Sequence, residues 1–282
     1  MNVELVLAKT ADGMSLHGIL SPAGPAAKEL PFDGALLLHG VGSNFYQPRL
    51  LQELAEGLTE RGVQTIRGNT RGHDTIHTVM TNQGVRRQGA AYERIDECRL
   101  DIDAWLELLE QRGCRRVLLM GHSLGAIKAV YWQARQPRPL VGGLAAFSPP
   151  RLSAAAFEQG DGRDRYLESL SRAQQEVESG NAERLLEVAF PFPMTMSAGT
   201  FIDKYAAERY NVAELAGDLT CPALFTYAER ELGGPAFVNL PADVAGAKAT
   251  LNVEIVKGAD HSYHGFCQPL MEAVDRCYSG GG

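Results

Sequence analysis

The chain of 282 residues lacks a long hydrophobic run, paired cysteines and any excess of positive charge. No apolar stretch reaches the ~20 residues of a transmembrane helix, so we expect no membrane span. The 27 basic and 34 acidic residues leave a net charge of −7, which argues against binding to nucleic acid or to an anionic membrane surface. With these classes disfavoured, we expect a protein that acts on a small molecule.

The cysteines are five in number and scattered, and no two of them form a C-x-x-C pair. Free thiols of this kind are typical of a reducing cytoplasm, so we expect a cytoplasmic protein. The first 13 residues show no basic start followed by an apolar core, so we expect no secretory signal. The cysteines concerned are Cys98, Cys114, Cys221, Cys267 and Cys277.

Signatures of metal and nucleotide binding are also missing. The seven histidines do not show the zinc spacing of two histidines four positions apart with a glutamate. No G-x-x-x-x-G-K-[ST] loop is present to hold a phosphate. We therefore expect a protein without a metal or another cofactor.

What is present is an alternation of apolar strand-like runs with amphipathic helical patterns. Such alternation predicts a mostly parallel, eight-stranded α/β sheet with helices on both faces. Predicted strands cover residues 3–8, 14–20, 35–38, 63–67, 117–120, 141–147, 222–227 and 251–256. Predicted helices cover residues 49–61, 94–111, 126–135 and 269–278.

Residues 151–215 break this alternation, because they contain no strand-like run. Polar helical patterns at 163–180 and 181–188 predict a helical cap, inserted after the sixth strand. The core domain then comprises residues 1–150 and 216–282. The alternative to a cap is that residues 151–215 form a surface segment that does not contact the substrate.

The most informative motif is Gly121-His122-Ser123-Leu124-Gly125, which follows a predicted strand and opens a predicted helix. A strand–turn–helix junction of this kind holds the central serine clear of the sheet edge, and glycines flank it because the turn leaves no room for side chains. We therefore expect Ser123 to be a nucleophile. A serine that merely caps the helix is the alternative, but it would not explain the two glycines.

A nucleophilic serine needs a base and an acid that orients the base. His261 follows the last predicted strand and is the candidate base, whereas His264 is a weaker one. Glu231 follows the preceding strand and is the candidate acid. Three other carboxylates remain open for that role: Glu229, Asp243 and Asp260.

Two backbone N–H groups are predicted to form an oxyanion hole. Leu124 directly follows the nucleophile, and Val41 follows His39-Gly40 after the strand at 35–38. His39 itself is expected to brace this loop rather than to react. Glycines at 40 and 42 would let the backbone approach a substrate carbonyl.

These motifs together resemble the α/β-hydrolase family over nearly the whole chain. The resembling stretches are His39-Gly40 and residues 69–74, 121–125, 222–231 and 258–261, in family order. The resemblance implies cofactor-free hydrolysis of a carboxylic ester by a Ser–acid–His triad. Family members usually carry glycine at the position of Ala228 and aspartate at that of Glu231. Residues 71–74 and 259–265 look most like small esterases that include siderophore-ester hydrolases.

The substrate itself is expected to be a small or medium-sized ester. Five residues are candidates for contact with it: Asn44, Arg71, His122, Met194 and Met196. Ion pairing is the alternative for Arg71, and packing is the alternative for His122 and the two methionines. Thioester, lactone or carbon–carbon bond hydrolysis, acyl transfer and a slow-turnover receptor stay open, and so does the oligomeric state.

Overall fold

The computed structural model describes residues 3–25, 30–248 and 251–279, and its centre is an eight-stranded sheet. Along the sheet the strands follow the order β1-β2-β4-β3-β7-β8-β11-β12. These strands are β1 (Glu4–Lys9), β2 (Ser15–Ser21), β3 (Gly34–Leu38), β4 (Gln64–Gly68), β7 (Val117–His122), β8 (Val141–Phe147), β11 (Ala223–Ala228) and β12 (Leu251–Val256). Two smaller pairs are β5 (His77–Thr81) with β6 (Gly84–Gln88), and β9 (Leu185–Val188) with β10 (Met194–Ser197).

The sheet is parallel from β4 to β12, whereas β1, β2 and β4 pair in antiparallel fashion. All five residues of β3 are buried, as expected of a strand covered on both faces. The parallel order brings the carboxyl ends of β3, β7, β8, β11 and β12 to one edge. Functional groups in the loops after these strands can therefore meet there.

Helices cover both faces of the sheet, each through an apolar stripe. The helices α1 (Arg49–Glu60) and α9 (Cys267–Tyr278) pack on one face. The opposite face is covered by α2 (Cys98–Gln111) and α3 (Leu124–Arg135). The remaining helices are α4 (Ala154–Phe157), α5 (Arg163–Glu178), α6 (Ala198–Tyr205), α7 (Val212–Leu215) and α8 (Leu240–Ala247). This architecture confirms the predicted fold class.

Residues 151–215 lie between β8, the sixth strand of the main sheet along the chain, and β11. The prediction that they contain no strand is wrong, because β9 and β10 pair there. Residues 181–188 were expected to be helical, yet β9 buries Leu186 and Val188 and exposes the two alternate residues. Because the exposed Leu185 is itself apolar, the sequence Leu-Leu-Glu-Val does not alternate between apolar and polar residues and gives no strand signal.

Two further elements fall outside the predictions, namely the β5–β6 hairpin and α8. The hairpin exposes Met80 and Val85, and only Val79 among its apolar side chains packs partly against the core, so the sequence shows no core-facing apolar pattern there. None of the described helices is both long and apolar enough to span a membrane.

Candidate active site

Ser123 lies on a sharp turn between β7 and α3, with backbone angles φ 56° and ψ −124°. This positive φ is a strained conformation for a residue other than glycine, and it recurs at functional sites. The flanking glycines allow the turn. A Cβ at Gly121 would lie 2.3 Å from the carbonyl oxygen of Gly125, and one at Gly125 would lie 2.4 Å from that of Leu38. Side chains at either position would displace backbone.

His261 and Glu231 reach Ser123 from the loops after β12 and β11. The Nε2 atom of His261 lies 3.0 Å from Ser123 Oγ. Its Nδ1 atom lies 2.6 Å from Glu231 Oε2. The three residues thus form a continuous line of hydrogen-bonding groups at the carboxyl edge of the sheet, although Ser123 and His261 are 138 positions apart.

The other candidate acids point elsewhere. Glu229 accepts the backbone N–H of Gly258 at 2.8 Å. Asp243 forms an ion pair with Arg151. Asp260 accepts the N–H of Ser262, and its remaining oxygen faces the exposed His264 at 3.4 Å. Within the described chain, Glu231 is the carboxylate that contacts His261.

The second carboxylate oxygen of Glu231 is also held. Its Oε1 accepts the backbone N–H of Ala228 at 2.9 Å and the hydroxyl of Ser148 at 2.5 Å. The Ser148 hydroxyl in turn lies 2.8 Å from the Tyr263 phenol. Ser148 directly follows the predicted strand at 141–147, but a single serine at a strand end carries no motif, so sequence reasoning missed it.

Two histidines support the loops around Ser123. His122 places Nε2 2.6 Å from the carbonyl oxygen of His261, and burial lowers the pKa of His122 to about 4. His39 is buried between the Gly40 carbonyl and the N–H of Thr70, and burial lowers its pKa to about 3. Both rings are therefore neutral at pH 7, and their contacts brace the loops.

The predicted oxyanion donors lie beside Ser123. Leu124 is the first residue of α3, where a backbone N–H has no partner within the helix. A Cβ at Gly40 would lie 3.2 Å from Ser123 Cβ, so the loop before Val41 packs directly against the serine. Val41 and Leu124 both line the same cavity as Ser123 and His261. The two residues predicted to donate their N–H groups therefore border the same space as Ser123.

That cavity has a volume of about 290 Å³ and is mostly apolar. Residues 151–215 supply more than half of the residues that line it. Five of the lining residues are aromatic, and one of them, Phe237, lies 5.7 Å from the His261 ring between centroids. The aromatic lining residues are Phe157, Phe190, Phe192, Tyr205 and Phe237.

The five residues predicted to contact substrate do not line this cavity. Arg71 is buried and forms ion pairs with Asp101, Glu97 and Asp12. Ion pairing is the role that the sequence analysis gave as the alternative to substrate contact. Asn44 is buried as well. The remaining three are His122, described above, and Met194 and Met196, which lie in β10.

Asn44 holds its loop together instead. Its side-chain amide donates to Asp74 at 2.9 Å, and its carbonyl oxygen accepts the backbone N–H of Gln47 at 2.9 Å. Met196 is fully buried in the core cluster. These contacts favour packing and loop-bracing roles. Sequence spacing could not show which side of the insertion faces the serine.

The described residues contain no group of three or more histidine, cysteine, aspartate or glutamate side chains placed to hold a metal ion. The groups that meet at the site are a hydroxyl, an imidazole, a carboxylate and backbone N–H groups. Together they can deprotonate a serine and stabilise an anion beside it.

Comparison with solved structures finds the same fold in proteins of low identity. Est1E from Butyrivibrio proteoclasticus with ferulic acid bound has a TM-score of 0.67 at 16% identity, over 96% of each chain. An esterase domain from Rhodothermus marinus has a TM-score of 0.60 at 16% identity, and the match covers 99% of this chain and 100% of that chain. The esterase Pf2001 from Pyrococcus furiosus has a TM-score of 0.59 at 16% identity, and the match covers 99% of this chain and 94% of that chain.

None of the curated proteins matches the chain. The alpha/beta hydrolase family, in contrast, matches residues 35–277. That range contains Ser123, Glu231 and His261 in this chain order, and it spans six strands of the main sheet: β3 from its second residue, β4, β7, β8, β11 and β12. The chain belongs to the alpha/beta hydrolase family.

Proposed function

We propose that the protein is a serine hydrolase that cleaves a carboxylic ester through an acyl-enzyme intermediate. The observation that carries the proposal is the line of contacts from Ser123 Oγ to His261 Nε2 at 3.0 Å and from His261 Nδ1 to Glu231 Oε2 at 2.6 Å. A serine, an imidazole and a carboxylate in this order form the arrangement that activates a hydroxyl for acyl transfer.

In the proposed reaction Ser123 Oγ attacks the ester carbonyl while His261 Nε2 takes the hydroxyl proton. Glu231 holds the proton on Nδ1 and stabilises the imidazolium. The N–H groups of Val41 and Leu124 donate to the oxyanion of the tetrahedral intermediate. His261 then returns its proton to the leaving alcohol. Water, deprotonated by the same imidazole, releases the acid and restores Ser123.

The size and the lining of the cavity indicate the kind of ester that would fit. Its volume of about 290 Å³ and its aromatic walls suit a small or medium-sized substrate with an apolar group next to the carbonyl. Because Phe157 and Phe190 come from residues 151–215, we propose that this insertion is a cap that shapes the substrate pocket. The narrower likeness to siderophore-ester hydrolases stays a prediction.

The site needs no cofactor for this chemistry. Cytoplasmic action belongs to the same proposal, since Cys221, Cys267 and Cys277 are partly exposed cysteines that form no disulfide in the described part of the chain.

The test compares wild type with Ser123→Ala, and uses Ser171→Ala as a control, since Ser171 is exposed and does not line the cavity. A fluorophosphonate probe should label wild type and the control but not Ser123→Ala. Turnover of a short-chain p-nitrophenyl ester should fall by several orders of magnitude in Ser123→Ala alone. Near wild-type turnover in that variant would overturn the mechanism. Labelling without turnover would instead favour a slow-turnover receptor.

A further inference from the structure

We infer that Ser148 and Tyr263 are positioning residues that hold Glu231 against His261 through a chain of hydroxyl groups. The inference rests on the proposed function, because it concerns the same site. It adds two residues that neither touch the substrate cavity nor belong to the Ser–His–Glu line.

The chain of hydroxyls has one consistent direction. Ser148 has a single hydroxyl proton, and the Glu231 carboxylate can only accept, so that proton goes to Glu231 Oε1 at 2.5 Å. The Tyr263 phenol, 2.8 Å away, then donates to Ser148 Oγ. Thr226 Oγ1 lies 2.9 Å from the same phenol and completes the chain as its donor. Three protons are thus ordered towards one carboxylate oxygen.

Burial makes these bonds strong. Ser148 and Thr226 are fully buried, and Tyr263 is 1% exposed. Water therefore cannot replace a lost donor, and a charge-assisted hydrogen bond in such surroundings exceeds a neutral one in strength. Burial also raises the pKa of Tyr263, so the phenol keeps its proton throughout the working pH range.

The backbone supports the same conclusion. Ser148 and Tyr263 have φ angles of 46° and 52°, which are strained for residues other than glycine, and for a bulky tyrosine in particular. Such strain persists only where surrounding contacts determine the conformation.

Glu231 needs this support because its side chain is long. His261 contacts only Oε2, so rotation of the carboxylate would break the contact unless Oε1 is also fixed. The N–H of Ala228 and the hydroxyl of Ser148 fix it from two directions. The hydroxyl chain therefore sets the orientation of the carboxylate that orients the imidazole.

The experiment measures kcat, KM and the rate of fluorophosphonate labelling for a graded set of variants. Ser148→Ala removes the bond to Glu231, and Ser148→Gly does so while relieving the positive φ. Both should lower kcat and the labelling rate about 10- to 100-fold, with KM within about twofold of wild type. Tyr263→Phe acts one bond further away and should lower both rates about 3- to 10-fold.

Tyr227→Phe is the matched control. Tyr227 is a neighbouring buried tyrosine whose hydroxyl has no hydrogen-bond partner among the described residues. Its loss should leave kcat within about twofold of wild type, whereas a general effect of removing a buried phenol would affect both tyrosine variants alike.

Two results overturn the inference in distinguishable ways. If Ser123→Ala is inactive while the Ser148 variants and Tyr263→Phe keep wild-type kcat and labelling rates, the inference fails and the proposed function stands. If Ser123→Ala remains active, the proposed function fails and the inference fails with it.

Discussion

Gly125 packs so closely against Leu38 that a Cβ on the glycine would lie 2.4 Å from the leucine carbonyl oxygen and 2.5 Å from that of His39. The start of α3 and the end of β3 are therefore in backbone contact. Since Ser123 stands before that helix and Val41 follows that strand, this contact sets the distance between the nucleophile and the proposed oxyanion donor.

Gly125→Ala should consequently impair catalysis. The added methyl group must push the loop at 39–41 away from Ser123, and we expect kcat to fall about 100-fold, the usual effect of losing one oxyanion donor. Gly246→Ala, where a Cβ meets no atom within 4 Å, is the control and should leave kcat unchanged. Equal kcat in the two variants would show that the packing does not position the donor.

The choice of acid can be tested with two glutamates that are two positions apart. Glu231→Gln should lower kcat about 10³- to 10⁴-fold, because the amide cannot stabilise the imidazolium that forms during attack. Glu229→Gln should change kcat less than about threefold, since Glu229 contacts the backbone of Gly258 rather than His261. Steady-state kinetics on a p-nitrophenyl ester would decide. If Glu229→Gln lowered kcat more than Glu231→Gln does, Glu229 would be the acid of the triad.

A buried ion cluster links the insertion to the core. Glu93 lies 2.6 Å from Lys128 of α3 and 2.8 Å from Lys204 of α6, and all three side chains are 1% exposed. Glu93→Gln leaves two buried ammonium groups without their counter-charge. We expect the free energy of unfolding to fall by about 3–5 kcal/mol in urea titrations.

The control for that prediction is Asp218→Asn, which breaks the ion pair with Arg135. Both partners of that pair are about half exposed, so its loss should cost less than about 1 kcal/mol. A Glu93→Gln protein as stable as the control would mean that the cluster does not hold the insertion to the core.

Stability should also depend on pH above the range in which carboxylates titrate. Burial lowers the pKa of His39 to about 3 and that of His122 to about 4, from an ordinary value of 6.5. Unfolding therefore takes up a proton at each ring below pH 6.5. The contribution of the neutral rings to the free energy of unfolding is therefore fully present above pH 6.5. It is lost as the pH falls, by about 1.4 kcal/mol per pH unit for each proton taken up.

Urea unfolding at pH 7.5, 6.5, 5.5 and 5 would measure this slope. His39→Gln should make it shallower by about one proton, because the amide does not titrate. A wild-type free energy of unfolding that stays constant from pH 7.5 to 5 would contradict the assignment of neutral, buried rings.

Much of the sheet could be predicted from the sequence because its signals are local. β8 and β12 have the bounds that their apolar runs predicted, and the other main strands differ by one or two residues at their ends. The β9–β10 pair was missed because Leu185 is apolar yet exposed, so β9 shows no alternation of apolar and polar residues in the sequence. The orientation of the insertion was out of reach for a different reason. It depends on contacts such as Lys204 with Glu93, which lie 111 positions apart.

The sequence by itself determined the turn at Ser123, since two glycines, an apolar strand and a helix act over fewer than 20 residues. It also determined the order of the candidate residues along the chain, in which the acid Glu231 and then the base His261 follow Ser123. Only the tertiary structure decided that Glu231 rather than Glu229 faces His261, because a single short turn after β11 sends neighbouring side chains in different directions. The tertiary structure likewise brought Ser148 and Tyr263 together across 115 positions, and hydroxyl groups carry no spacing signal that a sequence could show.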